Sequence, residues 1–248
     1  MDPLMISAAS GMKARMESLD MLANNVANSG TAGFKSDREF YNLYVSQEAV
    51  DATGDSRPDP TTSPVVERHW TDFSQGTLLP TGNPLDLAIT GNGYFVVDSP
   101  SGPLYTRNGN FRLSPTGQVL TQEGQAVRIV RPDGKPATLD PAETVTVDSK
   151  GSIHQNGQEV ARLAMAEMDD TSKLMKQGQT YFRLDGPNPK LSASGEVHQG
   201  ALEAANVPVA EAAVRLVSVM RQFEMLQRAV SIGGEMNRQA VEQVAKVS

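Results

Sequence analysis

The residues best equipped for chemistry in this 248-residue chain are three histidines, one carboxylate cluster and two glycine-rich turns. His69, His154 and His198 stand singly, without the H-E-x-x-H spacing that holds zinc on one helix face, so each reads as a surface or loop histidine. Serines are plentiful, but none sits in a G-x-S-x-G turn that would raise a nucleophile above a sheet. Gly91-Asn92-Gly93 resembles a fragment of a phosphate loop, yet the third glycine and the following helix are missing. A hairpin turn before the strand Tyr94 to Val97 is expected instead. In Gly134-Lys135-Pro136, proline takes the place where a phosphate loop needs Ser or Thr. Glu167, Asp169 and Asp170 could act as an acid and base pair in glycoside hydrolysis, with Trp70, Tyr94, Phe95 and Tyr105 as a sugar-stacking surface. A solvated acidic loop and β-core packing explain the same residues more simply. No catalytic residue, cofactor or metal is assigned, and the chain reads as a non-enzyme.

Composition narrows the partners. There is no cysteine, which excludes disulfides, thiolate metal sites and cysteine nucleophiles. The net charge of -7 offers no phosphate-neutralising surface, so nucleic acid is not an expected partner, and no small-molecule substrate is expected either. Nowhere do about eighteen uncharged apolar residues follow one another, so no membrane span is predicted. The N-terminus has Asp2 and no basic region, and Lys13 and Arg15 interrupt its apolar residues; no cleavable signal peptide is expected.

The elements that could position functional side chains lie at opposite ends of the sequence. Val209, Leu216, Phe223 and Val230 recur every seventh residue, with Ala212, Val219 and Leu226 as a second row, the a and d seams of a coiled coil. Met5, Met12, Leu19 and Val26 recur at the same interval, with Ala8, Ala9, Met16, Leu22 and Ala23 filling that face. The first helix is expected from about Pro3 to Asn25, capped by Asp2, weakened at Gly11 and ended by Asn24, Asn25, Asn28 and Gly30. The last should open at Asn206 or Val207, continue through Pro208 and Glu211, and loosen at Gly233-Gly234.

Between the helices the period changes. Residues 36–84 read as an extended linker region with a short helix or strand near Phe40 to Val45; Asp51 to Pro64 carries three prolines and cannot form a central strand. From Leu85 onward, β-prone runs alternate with turn signals such as Ser99-Pro100-Ser101-Gly102, Asn108-Gly109, Pro115-Thr116-Gly117, Lys150-Gly151 and Asn156-Gly157. Strands are expected at Leu85 to Ile89, Tyr94 to Val97, Leu104 to Arg107, Val119 to Thr121, Val127 to Val130, Val145 to Val147, Val160 to Met168, Thr180 to Leu184 and Gly195 to His198. The fold class is α+β. N- and C-terminal helices pair in a coiled-coil-like terminal domain formed by residues 1–35 and 200–248, around a central, mostly antiparallel all-β domain at 85–199.

The last helix is more apolar than one seam requires, because Val214, Val217, Met225 and Ile232 lie outside the a and d rows. Terminal helices whose apolar faces exceed what the pair can cover fit a subunit that finishes folding in a polymer. The expected assembly interface comprises Met5, Met12, Leu19, Leu22, Asn24, Asn25, Val26 and Asn28 at the front, and Val209, Leu216, Val219, Phe223, Leu226 and Val230 at the back.

Three strings give this reading a family. Leu22-Ala23-Asn24-Asn25-Val26-Ala27-Asn28 with Thr31-Ala32-Gly33-Phe34-Lys35 resembles the N-terminal signature of the bacterial flagellar rod and hook family. Thr81 to Ile89, Gly91-Asn92-Gly93-Tyr94-Phe95 and Tyr105-Thr106-Arg107-Asn108-Gly109-Asn110-Phe111 are similar to that family's β region, and the C-terminal helix matches a third time. Within it, Arg221-Gln222-Phe223-Glu224-Met225 looks like the proximal-rod members. The resemblance implies a structural subunit of the basal-body rod, exported unfolded through the flagellar type III apparatus and assembled in the periplasm with copies of itself and other rod proteins. The helices would line the tube and the β body would face outward. Distal-rod or hook-type axial subunits are the near alternatives, and a secreted β-domain that binds or cleaves cell-wall glycan is the distant one.

Overall fold

A computed structural model describes residues 3–44, 63–187, 189, 191 and 194–247. It divides into two compact units, one of residues 1–27, 37–71 and 208–248, the other of 28–36 and 72–207. The stretches 28–35 and 200–207, expected with the helices, group with the β unit.

The first unit contains α1 (Pro3–Ala27), α2 (Val209–Val247) and a two-stranded ribbon of β1 (Asp37–Tyr44) and β2 (Ser63–Thr71). Met21, Leu22 and Val219 pack together, with Leu19 and Leu216 against them, so α1 and α2 touch through part of each predicted face, while Met16 and Ala23, expected on that face, are exposed. α2 runs unbroken through Gly233 and Gly234: nothing lies near either glycine to compete with the helical path, and roughly 1 kcal/mol per glycine is too little to break a long helix. Ordered strands occupy part of what reads as linker. β1 and β2 pair antiparallel from Asp37↔Thr71 to Tyr44↔Ser63, with a bulge at Phe40/Tyr41. Ser63 and Pro64 begin β2, where a missing N–H costs little at a ribbon edge; the rest of the proline-rich stretch, 51–62, lies outside the described residues.

In the second unit the strands are β3 (Leu78–Pro80), β4 (Leu87–Thr90), β5 (Tyr94–Ser99), β6 (Gly102–Thr106), β7 (Phe111–Leu113), β8 (Val119–Thr121), β9 (Ala126–Val127), β10 (Ile129–Val130), β11 (Thr146–Val147), β12 (Ser152–Gln155), β13 (Gln158–Leu163), β14 (Met165–Ala166), β15 (Leu174–Gln177), β16 (Tyr181–Leu184), β17 (Glu196–Gln199) and β18 (Ala201–Glu203). An eight-stranded sheet runs β15-β16-β6-β5-β9-β8-β7, with β14 also on β5; a four-stranded sheet runs β10-β13-β12-β11; β17 pairs β4 and β18 pairs β3. β5 alternates across two cores. Phe95 joins Phe111, Val127, Ile153 and Leu163, whereas Tyr94 and Val96 join Tyr105, Phe182 and Leu174. Both faces of Tyr-Phe-Val-Val are therefore covered, which is why that strand reads as a continuous apolar run.

Hairpins form at Ser99 to Gly102, Pro115 to Gly117, Lys150-Gly151 and Asn156-Gly157, where Asn156 and Gly157 take φ of 51° and 76°. Two turn signals behave otherwise. β4 pairs with β17 and β5 with β6, so Gly91-Asn92-Gly93 links different sheets rather than closing a hairpin. Asn108-Gly109 carries β6 to β7 within one sheet, yet closes no hairpin because β7 pairs with β8. There Gly109 is obligatory, since a Cβ on it would lie 1.6 Å from the Leu87 carbonyl oxygen.

Candidate assembly interface

The predicted interface residues separate by burial. Leu22 and Val219, each 4% exposed, sit in the contact between α1 and α2 with half-buried Leu19 and Leu216. Phe223, Leu226 and Val230 continue that side of α2 half-buried, and a Leu226 methyl lies 3.6 Å from where a Gly11 Cβ would be. Met12 and Val26 are half-buried on α1, while Val209 is exposed. Met5 lies in α1, but its side chain is outside the described residues. Asn24 is exposed.

Asn25 and Asn28 have work inside the chain. The buried Asn25 amide donates to the Asp37 carbonyl at 2.8 Å and accepts from the Asp37 N–H at 3.0 Å, tying the end of α1 to the start of β1. Asn28 is buried, and its carbonyl accepts from Thr31 N–H at 3.0 Å, closing the turn after the helix. Glu39 adds a second tie in this unit, receiving Ser18 Oγ at 2.6 Å and Arg215 Nη2 at 3.0 Å. The Asn25 amide is engaged by intrachain backbone and Asn28 is buried, so these two present little to a neighbour, whereas Asn24 is exposed.

The surplus apolar positions are open. Val214 is 72% exposed and Met225 61%, with Val217, Met220, Ile232 and Met236 also exposed. A groove of about 590 Å³ is lined by Ala213, Val214, Val217, Ser218, Arg221, Gln222 and Met225, all on one side of α2. The physical reason is periodicity: one neighbouring helix covers the a and d rows, and residues at 214, 217, 221 and 225 lie on a different stripe.

Sequence reading missed Glu203. Its carboxylate is fully buried, accepting Lys35 Nζ at 2.6 Å and Gly76 N–H at 2.9 Å on one oxygen and Arg107 Nη1 at 3.3 Å on the other. Arg107 also donates to the Ile89 and Gly91 carbonyls at 3.0 and 2.6 Å and lies over the Tyr94 ring. Burial, aided by the Arg107 charge and opposed by Glu203, holds the Lys35 amine below its ordinary range. Burial also pushes the Tyr94 phenol up to about 12. Lys35 and Arg107 stand inside two of the family strings, but a lone acid in Ala201 to Asn206 was the only sign of their partner. Asn206, read as a helix cap, instead accepts from Ser36 N–H at 2.7 Å and donates to the Asp72 carbonyl at 2.7 Å.

The residues considered for catalysis are dispersed. Tyr94, Phe95 and Tyr105 are core, while Trp70 is exposed beside Arg38 on the ribbon. Glu167 holds Asn92 and Ser194, and Asp170 caps a short 3-10 turn at Thr171–Lys173. Among the described residues no three His, Asp or Glu side chains are placed to hold a metal.

Comparison with known proteins matches three parts of the chain. Residues 5–35 match the family described as "Flagella basal body rod protein", 88–155 "Flagellar hook protein FlgE/F/G D1 domain", and 198–243 "Flagellar basal body rod FlgEFG protein C-terminal". The flagellar basal-body rod protein FlgF of Caulobacter vibrioides is 32% identical over 247 residues, covering 99% of this chain and 98% of that protein. The FlgF of Rhizobium meliloti is 31% identical over 220 residues, covering 88% and 87%. The FlgG of Caulobacter vibrioides is 30% identical over 250 residues, covering 93% and 95%.

Proposed function

Because the chain belongs to the flagellar basal-body rod protein family, and so is a structural component of the basal body that assembles with other rod proteins, we propose that it polymerises through its terminal helices. The observation that carries this is the uncovered stripe Val214, Val217 and Met225 on a helix whose other side already packs on α1. In this reading α1 and α2 form a coiled-coil-like pair, and the stripe receives helices of neighbouring subunits, including further copies of this chain. Each Val or Met newly buried contributes roughly 1.5 to 3 kcal/mol, so a few per subunit offset the entropy of ordering the helices. Met5, Met12 and Val26 on α1 and Val209 and Val230 on α2 lie in the heptad rows rather than on that stripe and add to the assembly surface in this reading.

Similarity to FlgF over almost the whole chain favours a place in the proximal rod, although FlgG-like relatives match over nearly as much. Export unfolded through the type III apparatus and assembly in the periplasm complete the reading. Two substitutions test it: Val217→Asp with Met225→Asp places charge on the open stripe and leaves the contact with α1 alone. The expected result is an exported, folded subunit and cells without rods or motility. Normal rods from that variant would refute assembly through this face.

A further inference from the structure

The tetrapeptide Gly33-Phe34-Lys35-Ser36 is seated in the β unit like a bound ligand. Main-chain bonds hold both of its sides: Gly33 N–H donates to the Glu203 carbonyl at 2.7 Å, and Asp72 N–H donates to the Ser36 carbonyl at 2.8 Å. Side chains complete the backbone pairing, because Ser36 N–H donates to Asn206 Oδ1 at 2.7 Å and Lys176 Nζ donates to the Lys35 carbonyl at 2.9 Å. Phe34 is wholly buried, with the Lys176 ammonium 4.2 Å from its ring centre. Lys35 enters a separate polar pocket made by Glu203 and the Ser74 carbonyl, 2.6 and 2.7 Å from Nζ. Gly33 has φ of 69°, and a Cβ there would lie 2.3 Å from the Asn108 nitrogen, so the pocket floor also selects glycine. Main-chain pairing for affinity with side-chain pockets for specificity is how proteins take up extended peptides.

The charged groups of the pocket stay paired without its occupant. Glu203 keeps Arg107 and Gly76, and Arg107 keeps Ile89 and Gly91, all within residues 72–207. The empty pocket therefore contains a neutral ion pair, and the tetrapeptide brings in one more cation. On leaving, Lys35 regains its hydration, so release costs less than pulling out an apolar segment of the same size.

We infer that Gly33–Ser36 is a captive peptide ligand of the β unit, its backbone held by Asn206 and main-chain bonds and its lysine by a selective socket of Glu203 and the Ser74 carbonyl, and able to leave and return while the rest of the unit stays folded. The inference does not depend on assembly through α2. The test is residue-resolved hydrogen exchange on the full chain at increasing, sub-denaturing urea. In the unaltered chain the Gly33 and Ser36 amides are expected to exchange through a local opening with little urea dependence, whereas the Val96 amide, bonded to the Ala164 carbonyl, exchanges only on global unfolding. Lys35→Met is expected to speed all three amides by about tenfold, because Lys35 is out of its socket in the opened and the unfolded chain alike, whereas Ile153→Val in the apolar core is expected to speed Val96 several-fold and to leave Gly33 and Ser36 unchanged. The inference is overturned if all three amides exchange in one event in the unaltered chain, or if Ile153→Val accelerates Gly33 as much as Val96.

Discussion

Glu203 is the side chain on which the β unit depends most. Two buried cations and a backbone N–H converge on one carboxylate, so Glu203→Gln leaves Lys35 and Arg107 facing each other without a counter-charge. Breaking a buried pair by removing one partner costs about 3 to 5 kcal/mol. The expected outcome is an unfolding free energy for the β unit that falls by that amount, seen as a lower urea midpoint with an unchanged slope; a loss under about 1 kcal/mol would mean water already screens the cluster. Tyr94, under Arg107, predicts an alkaline limit. Its pKa is raised from 10.0 to about 12, so above pH 10 the unfolded chain sheds the phenolic proton while the native chain keeps it. The stabilisation is full below pH 10 and is lost as pH rises through 12, about 3 kcal/mol in total. Tyr105 and Tyr181 are raised as well and act in the same direction. Lys35 acts oppositely: its lowered pKa adds stability as pH rises toward 10.5, and that gain ends there. Unfolding followed by phenolate absorbance should therefore show stability falling only above about pH 10.

At the scale of elements, what the sequence reveals depends on how periodic the element is. The heptads located both helices because a row of Leu216, Val219, Phe223 and Leu226 has one geometric explanation. Strands such as β5 were visible because four consecutive apolar residues follow a glycine turn. β7, β12 and β15 were not, since Phe-Arg-Leu, Ser-Ile-His-Gln and Leu-Met-Lys-Gln are too short and polar to show alternation; their pairing is decided by partners distant in sequence. For the same reason the open stripe on α2 was legible and the Glu203 cluster was not: the one repeats along a helix, the other joins residues 168 positions apart. Gly11 allows a prediction at this level. It is buried within α1, and a Cβ there would meet Leu226 at an ordinary contact distance of 3.6 Å. Gly11→Ala should therefore stabilise the helix pair by about 0.5 to 1 kcal/mol, read as a higher thermal midpoint of the helical signal. A lower midpoint would mean that α1 and α2 approach too closely there for a methyl group.

For the whole molecule, the interleaving of the two units in sequence sets how folding and assembly are coupled. The chain passes between them at 27/28, 36/37, 71/72 and 207/208, so no single cut frees either one. Among the described residues the β unit holds two extensive apolar clusters, whereas α1 and α2 share a smaller one, Met21, Leu22 and Val219 with Leu19 and Leu216 against them. A long helix packed on α1, tied to the ribbon by the Arg215–Glu39 bond and open along another stripe, is weakly held, because most helical stability in proteins comes from tertiary packing. Subunits that bind the helices in their folded state raise their stability by mass action. In a dilute solution of single chains, amides of α1 and α2 should exchange orders of magnitude faster than Val96, and in assembled rods they should slow toward it. The comparison needs only one labelled chain measured in both states. If the helices were already as protected as the β unit in the dilute chain, they would be finished before assembly, and the open stripe would dock preformed surfaces rather than complete a fold.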